Sequence, residues 1–165
     1  MTVYVLQEMG RNIRSAEKFG DLKVLLPDNK QIVVISDSNV AKLYGTLISE
    51  YLNAQLIVFP AGENNKNRET KIRIEDTLSQ LQFGRDTLII SVGGGVVTDM
   101  AGFVAATYCR GVDVIHIPTT LLAMVDAAVG GKTAVNTPFG KNLIGAFKQP
   151  ISVIIDPDVL HTLST

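Results

Sequence analysis

Short apolar runs alternate along the chain with segments whose apolar residues recur at helical spacing, a pattern that predicts βαβ units around a parallel sheet. Ile32-Val33-Val34-Ile35 reads as a buried strand, followed by a helix over residues 39–51. Leu56-Ile57-Val58-Phe59 predicts the next strand, and residues 68–81 a helix with Ile72, Leu78 and Leu81 on its apolar stripe. Residues 87–92 form the strongest strand pattern, and a glycine cluster follows at once. A helix of small residues over 96–106 then leads to a strand over 112–117. Past Pro118 the chain turns polar and glycine-rich until a last strand, Val153-Ile154-Ile155. Before residue 30 the pattern gives only an edge strand over residues 3–6. Residues 158–163 read as the start of a further helix or connection, so the expectation is a domain cut from a longer protein. The expected fold class is α/β: a Rossmann-like open, mostly parallel sheet with flanking helices.

Composition narrows the classes of partner. Across 165 residues, 46% hydrophobic and 19% charged residues are enough for one domain with its own core. Fifteen basic and sixteen acidic residues leave a net charge of -1, which gives no electrostatic footprint for nucleic acid or an anionic membrane. No apolar run approaches the ~20 residues of a membrane span. The first residues lack the basic and apolar regions of a secretory signal. The single cysteine, Cys109, cannot form an internal disulfide, and a reducing cytoplasm fits.

The candidate chemistry begins at Gly93-Gly94-Gly95, between a strand and a helix. Glycine lets a ligand approach the backbone, and a helix start offers free N–H groups with partial positive charge, so this turn suits a pyrophosphate. The turn is not an ordinary dinucleotide fingerprint, because Thr98 stands at the third glycine of G-x-G-x-x-G and Asp113 opens a strand instead of ending one. A ribose would need another partner. Glu63 and Lys66, after a second strand end, are either that partner and a phosphate counter-charge or ordinary helix-start charges. Asp37-Ser38-Asn39 is either a ligand-binding strand end or a plain N-cap.

From Pro118 to Gly145 the polar stretch carries Thr119, Thr120, Asp126, Lys132, Asn136, Lys141 and Asn142 among glycines. Long loops of this kind are usually functional. Its ammonium groups suit a phosphate or carboxylate, and Asp126 and Asn142 suit hydroxyls. Gly130-Gly131-Lys132-Thr133 is not a P-loop, since Asp126 occupies the place of the first glycine. Cys109 reads as core, and His116 and His161 have no partners at metal-ligand spacing, so no metal site is expected. Arg110 is either a helix C-terminal charge or an anion ligand.

Taken together, Gly93-Gly94-Gly95-Val96-Val97-Thr98-Asp99-Met100-Ala101-Gly102-Phe103, Tyr108-Cys109-Arg110-Gly111, Pro118-Thr119-Thr120 through Asp126, Gly130-Gly131-Lys132-Thr133 and Gly140-Lys141-Asn142 resemble the 3-dehydroquinate synthase family. The resemblance runs from Gly93 to Pro150 and, more weakly, back to Ile32. It implies an NAD-binding N-terminal domain over residues 1–165. It also implies a homodimer that converts the sugar phosphate DAHP to 3-dehydroquinate in the shikimate pathway. The activity would use NAD catalytically together with a divalent metal, zinc or cobalt. By position, Asp37, Asn39, Glu63, Lys66, Gly94, Gly95, Val96, Val97, Thr98, Asp99, Thr119, Thr120, Lys132 and Lys141 would hold NAD. Val159, Leu160, His161 and Thr162 would add contacts. Asp126, Lys132 and Asn142 would face the substrate, and Arg110 would reach the neighbouring subunit's phosphate pocket. Thr98 stands where the family commonly has glycine, and Ala61 where it has aspartate. The family's metal ligands, one Glu and two His, belong to a helical C-terminal domain absent from this chain, so the chain alone is expected not to turn over.

Overall fold

The computed structural model describes residues 3–7, 14–16, 22–23 and 26–163. Its strands are β1 (Val3–Gln7), β2 (Arg14–Ala16), β3 (Gln31–Asp37), β4 (Gln55–Phe59), β5 (Thr87–Gly93), β6 (Asp113–Pro118), β7 (Lys132–Thr137), β8 (Gly140–Phe147) and β9 (Ser152–Ile155). Three α-helices, α1 (Thr46–Leu52), α2 (Arg68–Gln80) and α3 (Gly95–Thr107), make the crossovers. Seven strands form one sheet in the order β2-β1-β9-β6-β5-β3-β4, and β7 pairs only with β8. The run from β4 to β9 is parallel, while β1 and β2 add antiparallel. The mostly parallel sheet is the one expected, although β1 is not its edge, because β2 lies outside it.

The parallel strands are continuous apolar runs because both faces are covered. Every residue of β5 is buried. Successive side chains point to opposite faces, so Val33, Ile35 and Ile89 pack with Ile74, Leu78, Val97, Met100 and Val104 of α2 and α3. Val34, Leu88, Ile90, Ile115 and Ile117 meet Ile48 and Leu52 of α1 on the other face. The first connection from β3 runs toward β4, and the later ones run the opposite way to β5 and β6. The strand order therefore reverses between β3 and β5, and their carboxyl ends open a crevice, the usual ligand position in such sheets.

Three elements differ from expectation. The buried stripe of α2 is Thr70, Ile74 and Leu78. Ile72 and Leu81 are 53% and 44% exposed, because at 100° per residue Ile72 lies about 200° round the helix from Ile74. The helix after β3 is interrupted, with a π-helical turn (Ala41–Gly45) preceding α1. The polar stretch after Pro118 is not a loop: it contains a π-helical turn (Ala123–Ala127) and the hairpin β7–β8. That hairpin lies on α3 and explains why α3 is mostly apolar, with Asp99 its one charged residue. Gly102 is where they touch, since a Cβ there would lie 2.3 Å from Thr133 Cγ2. Residues 158–163 fall in a short 3-10 helix (Pro157–Thr162) and the residue after it, with Asp156 as its cap. Among the described residues no helix is long and apolar enough to cross a membrane.

Candidate functional site

Two clefts of about 500 Å³ each flank the N-terminal turns of α3. The first occupies the β3/β5 crevice and is lined by Asp37, Asn39, Tyr44, Gly94, Gly95, Val96, Thr119, Thr120 and Thr162. Here β5 ends, Gly94 caps α3, and its carbonyl accepts the N–H groups of Val97 and Thr98 at 3.0 Å each. The N–H groups of Gly95 and Val96 precede the first intrahelical bond, and both residues line the cleft. No side chain fits at Gly94 without crowding, since its Cβ would meet Thr120 Cγ2 at 3.1 Å. Thr119 is fixed by donating its N–H to Gly93 O at 3.0 Å.

Asp37 caps the turn after β3 and also lines the first cleft. Oδ1 caps the following turn by accepting the N–H groups of Asn39 and Val40, each at 2.9 Å. Its other oxygen has no bond within the described residues and remains for the cleft it lines. Ser38 Oγ accepts the Ala61 N–H at 3.0 Å, tying the ends of β3 and β4 together. Gly62 carries that second strand end to the same cleft.

The second cleft is lined by Asp99, Asp126, Lys132, Thr133, Asn142 and Phe147, among others. Asp99 sits on the second turn of α3, Asp126 on the π-helical turn, and Lys132 and Asn142 on the hairpin. One ammonium among two carboxylates, an amide and a hydroxyl can bind an anion and orient hydroxyls together. Burial holds the Asp99 carboxyl above its ordinary range, opposed by the bond and charge of Lys66, while Glu63 and Asp126 raise it further.

The expected nucleotide contacts are only partly gathered. Val97 is fully buried in the core, and Thr98 is 1% exposed with its hydroxyl bonded to Gly95 O at 3.1 Å. Asp99 and Lys132 line the second cleft, not the first. Glu63 and Lys141 lie in a third depression, where Glu63 Oε1 accepts from Asn136 Nδ2 at 2.8 Å. Lys66 is 4% exposed, with its ammonium engaged by Asp99 and Asn142. Of residues 159–162 only Thr162 lines the first cleft; Val159 is buried and His161 is exposed. Arg110 is exposed beyond α3 at φ 69 and lines none of the three depressions.

Sequence reasoning missed Tyr44, Leu43 and Val40 in the β3/β5 crevice. Tyr44 OH reaches Thr162 Oγ1 at 3.1 Å, and its one signal was its aromatic type. It also missed Phe147 in the second cleft. Cys109 is partly buried at φ 50, and His116 is buried with Nδ1 2.6 Å from Ser91 Oγ.

A doubly wound sheet with a glycine turn at its switch point and a charged cleft beside it defines a Rossmann-like ligand-binding domain. The chain belongs to the 3-dehydroquinate synthase family: the family model described as 3-dehydroquinate synthase N-terminal matches residues 56–165. It is 46% identical over 147 residues to a 3-dehydroquinate synthase of Prochlorococcus marinus, a match covering 86% of this chain and 40% of that protein. It is 51% identical over 145 residues to the pentafunctional AROM polypeptide of Candida tropicalis, covering 81% of this chain and 9% of that one. Among solved structures, 2-deoxy-scyllo-inosose synthase complexed with carbaglucose-6-phosphate, NAD+ and Co2+ superposes with a TM-score of 0.86 at 28% identity. That match covers 99% of this chain and 47% of the other. The chain thus spans about two-fifths of the curated synthase and a small part of AROM.

Proposed function

We propose that this chain is the NAD-binding part of a 3-dehydroquinate synthase, a phosphate-eliminating lyase that acts on DAHP in the cytoplasm. One observation carries the reading: the glycine turn and the polar cleft share a wall. Gly95, facing the first cleft, sits one helical turn from Asp99, which lines the second. A nucleotide in one cleft and a polyhydroxylated anion in the other therefore meet at the start of α3.

The chain's own groups fit both ligands. Free N–H groups at Gly95 and Val96 and the helix dipole bind the pyrophosphate, while the unbonded Asp37 oxygen and Asn39 accept and donate to ribose hydroxyls. NAD, when bound, supplies a hydride acceptor that later returns the hydride. Lys132 neutralises the substrate's anionic group, and Asp126 and Asn142 orient its hydroxyls. Among the described residues no group of three or more His, Cys, Asp or Glu side chains is placed to hold a metal ion. We assign the ligands of the zinc or cobalt implied by the family to the part of the relatives that this chain does not span. In a homodimer the exposed Arg110 would serve the partner subunit's phosphate pocket.

A second reading, another sugar-phosphate cyclase, is favoured by the superposition on 2-deoxy-scyllo-inosose synthase over nearly the whole chain. One assay separates these readings from a polyol dehydrogenase. The chain is mixed with a polypeptide covering the rest of the Prochlorococcus enzyme, zinc, catalytic NAD and DAHP. Phosphate release without accumulation of reduced nicotinamide is the expected result. Accumulating reduced nicotinamide would replace the synthase with a dehydrogenase, and release from glucose 6-phosphate but not DAHP would select the other cyclase.

A further inference from the structure

Beyond Thr107, the last residue of α3, the backbone passes through three successive positive φ values: 50 at Cys109, 69 at Arg110 and 118 at Gly111. Only the third is a glycine, and the left-handed region is costly for the other two because Cβ crowds the backbone. Such backbone persists where its surroundings over-determine it, and it concentrates at sites where the strain aims a group. Two backbone bonds close the turn. The Gly111 N–H donates to Tyr108 O at 2.8 Å, and the Val112 N–H donates to Ala105 O at 2.8 Å. The entry is held by a side chain: Tyr108 is buried, and its hydroxyl donates to Phe83 O at 2.7 Å, in the connection between α2 and β5. What the turn displays is Arg110, which is exposed, forms no ion pair among the described residues and lines none of the three depressions.

We infer that Tyr108 is a positioning residue for Arg110: its buried hydroxyl holds the left-handed turn that presents the guanidinium to an anion outside its own subunit. The inference rests on the proposed homodimer, in which that anion is the phosphate in the partner subunit's pocket. A guanidinium binds phosphate bidentately through a planar fork, so it needs a fixed approach as well as a charge. A relaxed turn leaves Arg110 charged but no longer aimed. The loss then falls on the substrate anion and spares the nucleotide crevice, which neither Tyr108 nor Arg110 lines.

The test begins on the ligand-free chain, where a positive φ brings a residue's amide proton close to its own Hα and gives a strong NOE between them. Tyr108→Phe keeps the ring and removes the donor, and these NOEs weaken at Cys109 and Arg110 as the turn relaxes toward negative φ. Steady-state phosphate release follows, with the chain completed by the rest of the Prochlorococcus enzyme. Tyr108→Phe lowers kcat/KM for DAHP about tenfold, mostly through KM, as expected for a misplaced charged hydrogen bond. NAD affinity stays within about threefold. Tyr108→Phe/Arg110→Ala is no worse than Arg110→Ala alone, because a residue acting only through Arg110 has nothing further to lose. Gly111→Ala strains the turn from its other end, since φ 118 suits no side chain, and gives the same fall should Tyr108→Phe not fold. Unchanged NOEs in Tyr108→Phe overturn the inference. So does a double variant about tenfold worse than Arg110→Ala, which would make the role of Tyr108 a general structural one. Full activity of Arg110→Ala overturns the placing of Arg110 in the partner subunit's pocket, and with it the purpose assigned to Tyr108. No activity from the unsubstituted mixture would overturn the proposed function, and the NOEs would still decide whether Tyr108 holds the turn.

Discussion

His116 lies in the middle of β6, 2% exposed, with Nδ1 against Ser91 Oγ of the neighbouring strand. Burial lowers its pKa from 6.5 to about 4. An unfolded chain takes up a proton at this imidazole as pH falls below 6.5, while the folded chain refuses it until about pH 4. The stabilisation is therefore complete above pH 6.5 and is lost progressively as pH falls from 6.5 toward 4. A shift of that size, at 1.36 kcal/mol per unit, amounts to about 3 kcal/mol at the bottom of the window. Two carboxyls work in the opposite direction. Burial raises the pKa of both Asp99 and Asp156, so their protonation favours the folded state as pH falls. The imidazole is isolated by comparison with His116→Asn, whose shorter amide keeps a partner for Ser91 and does not titrate. Its packing loss, about 1–3 kcal/mol, is the same at every pH. Urea unfolding of both proteins at about pH 7 and about pH 4 then gives the difference. The unsubstituted chain should lose about 3 kcal/mol more than the variant between the two conditions. Parallel losses would refute the argument and mean that the imidazole is protonated in place or already solvated.

Two further substitutions check the packing. Leu78→Ala should cost about 2–5 kcal/mol, whereas Ile72→Ala should stay within about 0.5 kcal/mol, and chemical denaturation of the pair tests which stripe of α2 is buried. Gly145→Ala places a Cβ 1.9 Å from Thr133 O, so β7 and β8 must separate. We expect a loss of at least about 1–3 kcal/mol, read by thermal unfolding, together with weakened DAHP binding because Gly145 lines the polar cleft.

The parallel sheet was legible because its strands are buried on both faces and read as plain apolar runs. The glycine turn was legible because a triple glycine between strand and helix has few other uses. The hairpin β7–β8 was not. Gly130, Gly131, Pro138, Gly140 and Gly145 punctuate it like a loop, and no residue of β8 is fully buried, leaving no apolar face to detect. The glycine at 145 in fact reflects close contact between the strands, which spacing alone does not reveal. Site residues were recognisable as chemistry, but their grouping was not. Asp99 lies one turn from Gly95 in sequence yet lines a different cleft, and Lys66 is buried with its ammonium against Asp99 and Asn142. The apolar and aromatic lining, Tyr44 and Phe147, had no signature beyond its residue type.

The central claim is that the crevice between β3 and β5 binds NAD. The most direct measurement is a calorimetric titration of the 165-residue chain with NAD in the absence of metal, beside the same titration of Gly95→Asp. That glycine has room for a Cβ, with Ala127 Cβ 3.5 Å from the added carbon, so the variant is expected to fold and to place a carboxylate at the start of α3, where the account puts the pyrophosphate. Saturable one-to-one binding by the unsubstituted chain, abolished in Gly95→Asp, is the predicted result. Binding that persists in the folded variant, or no heat from the folded unsubstituted chain, would contradict the account.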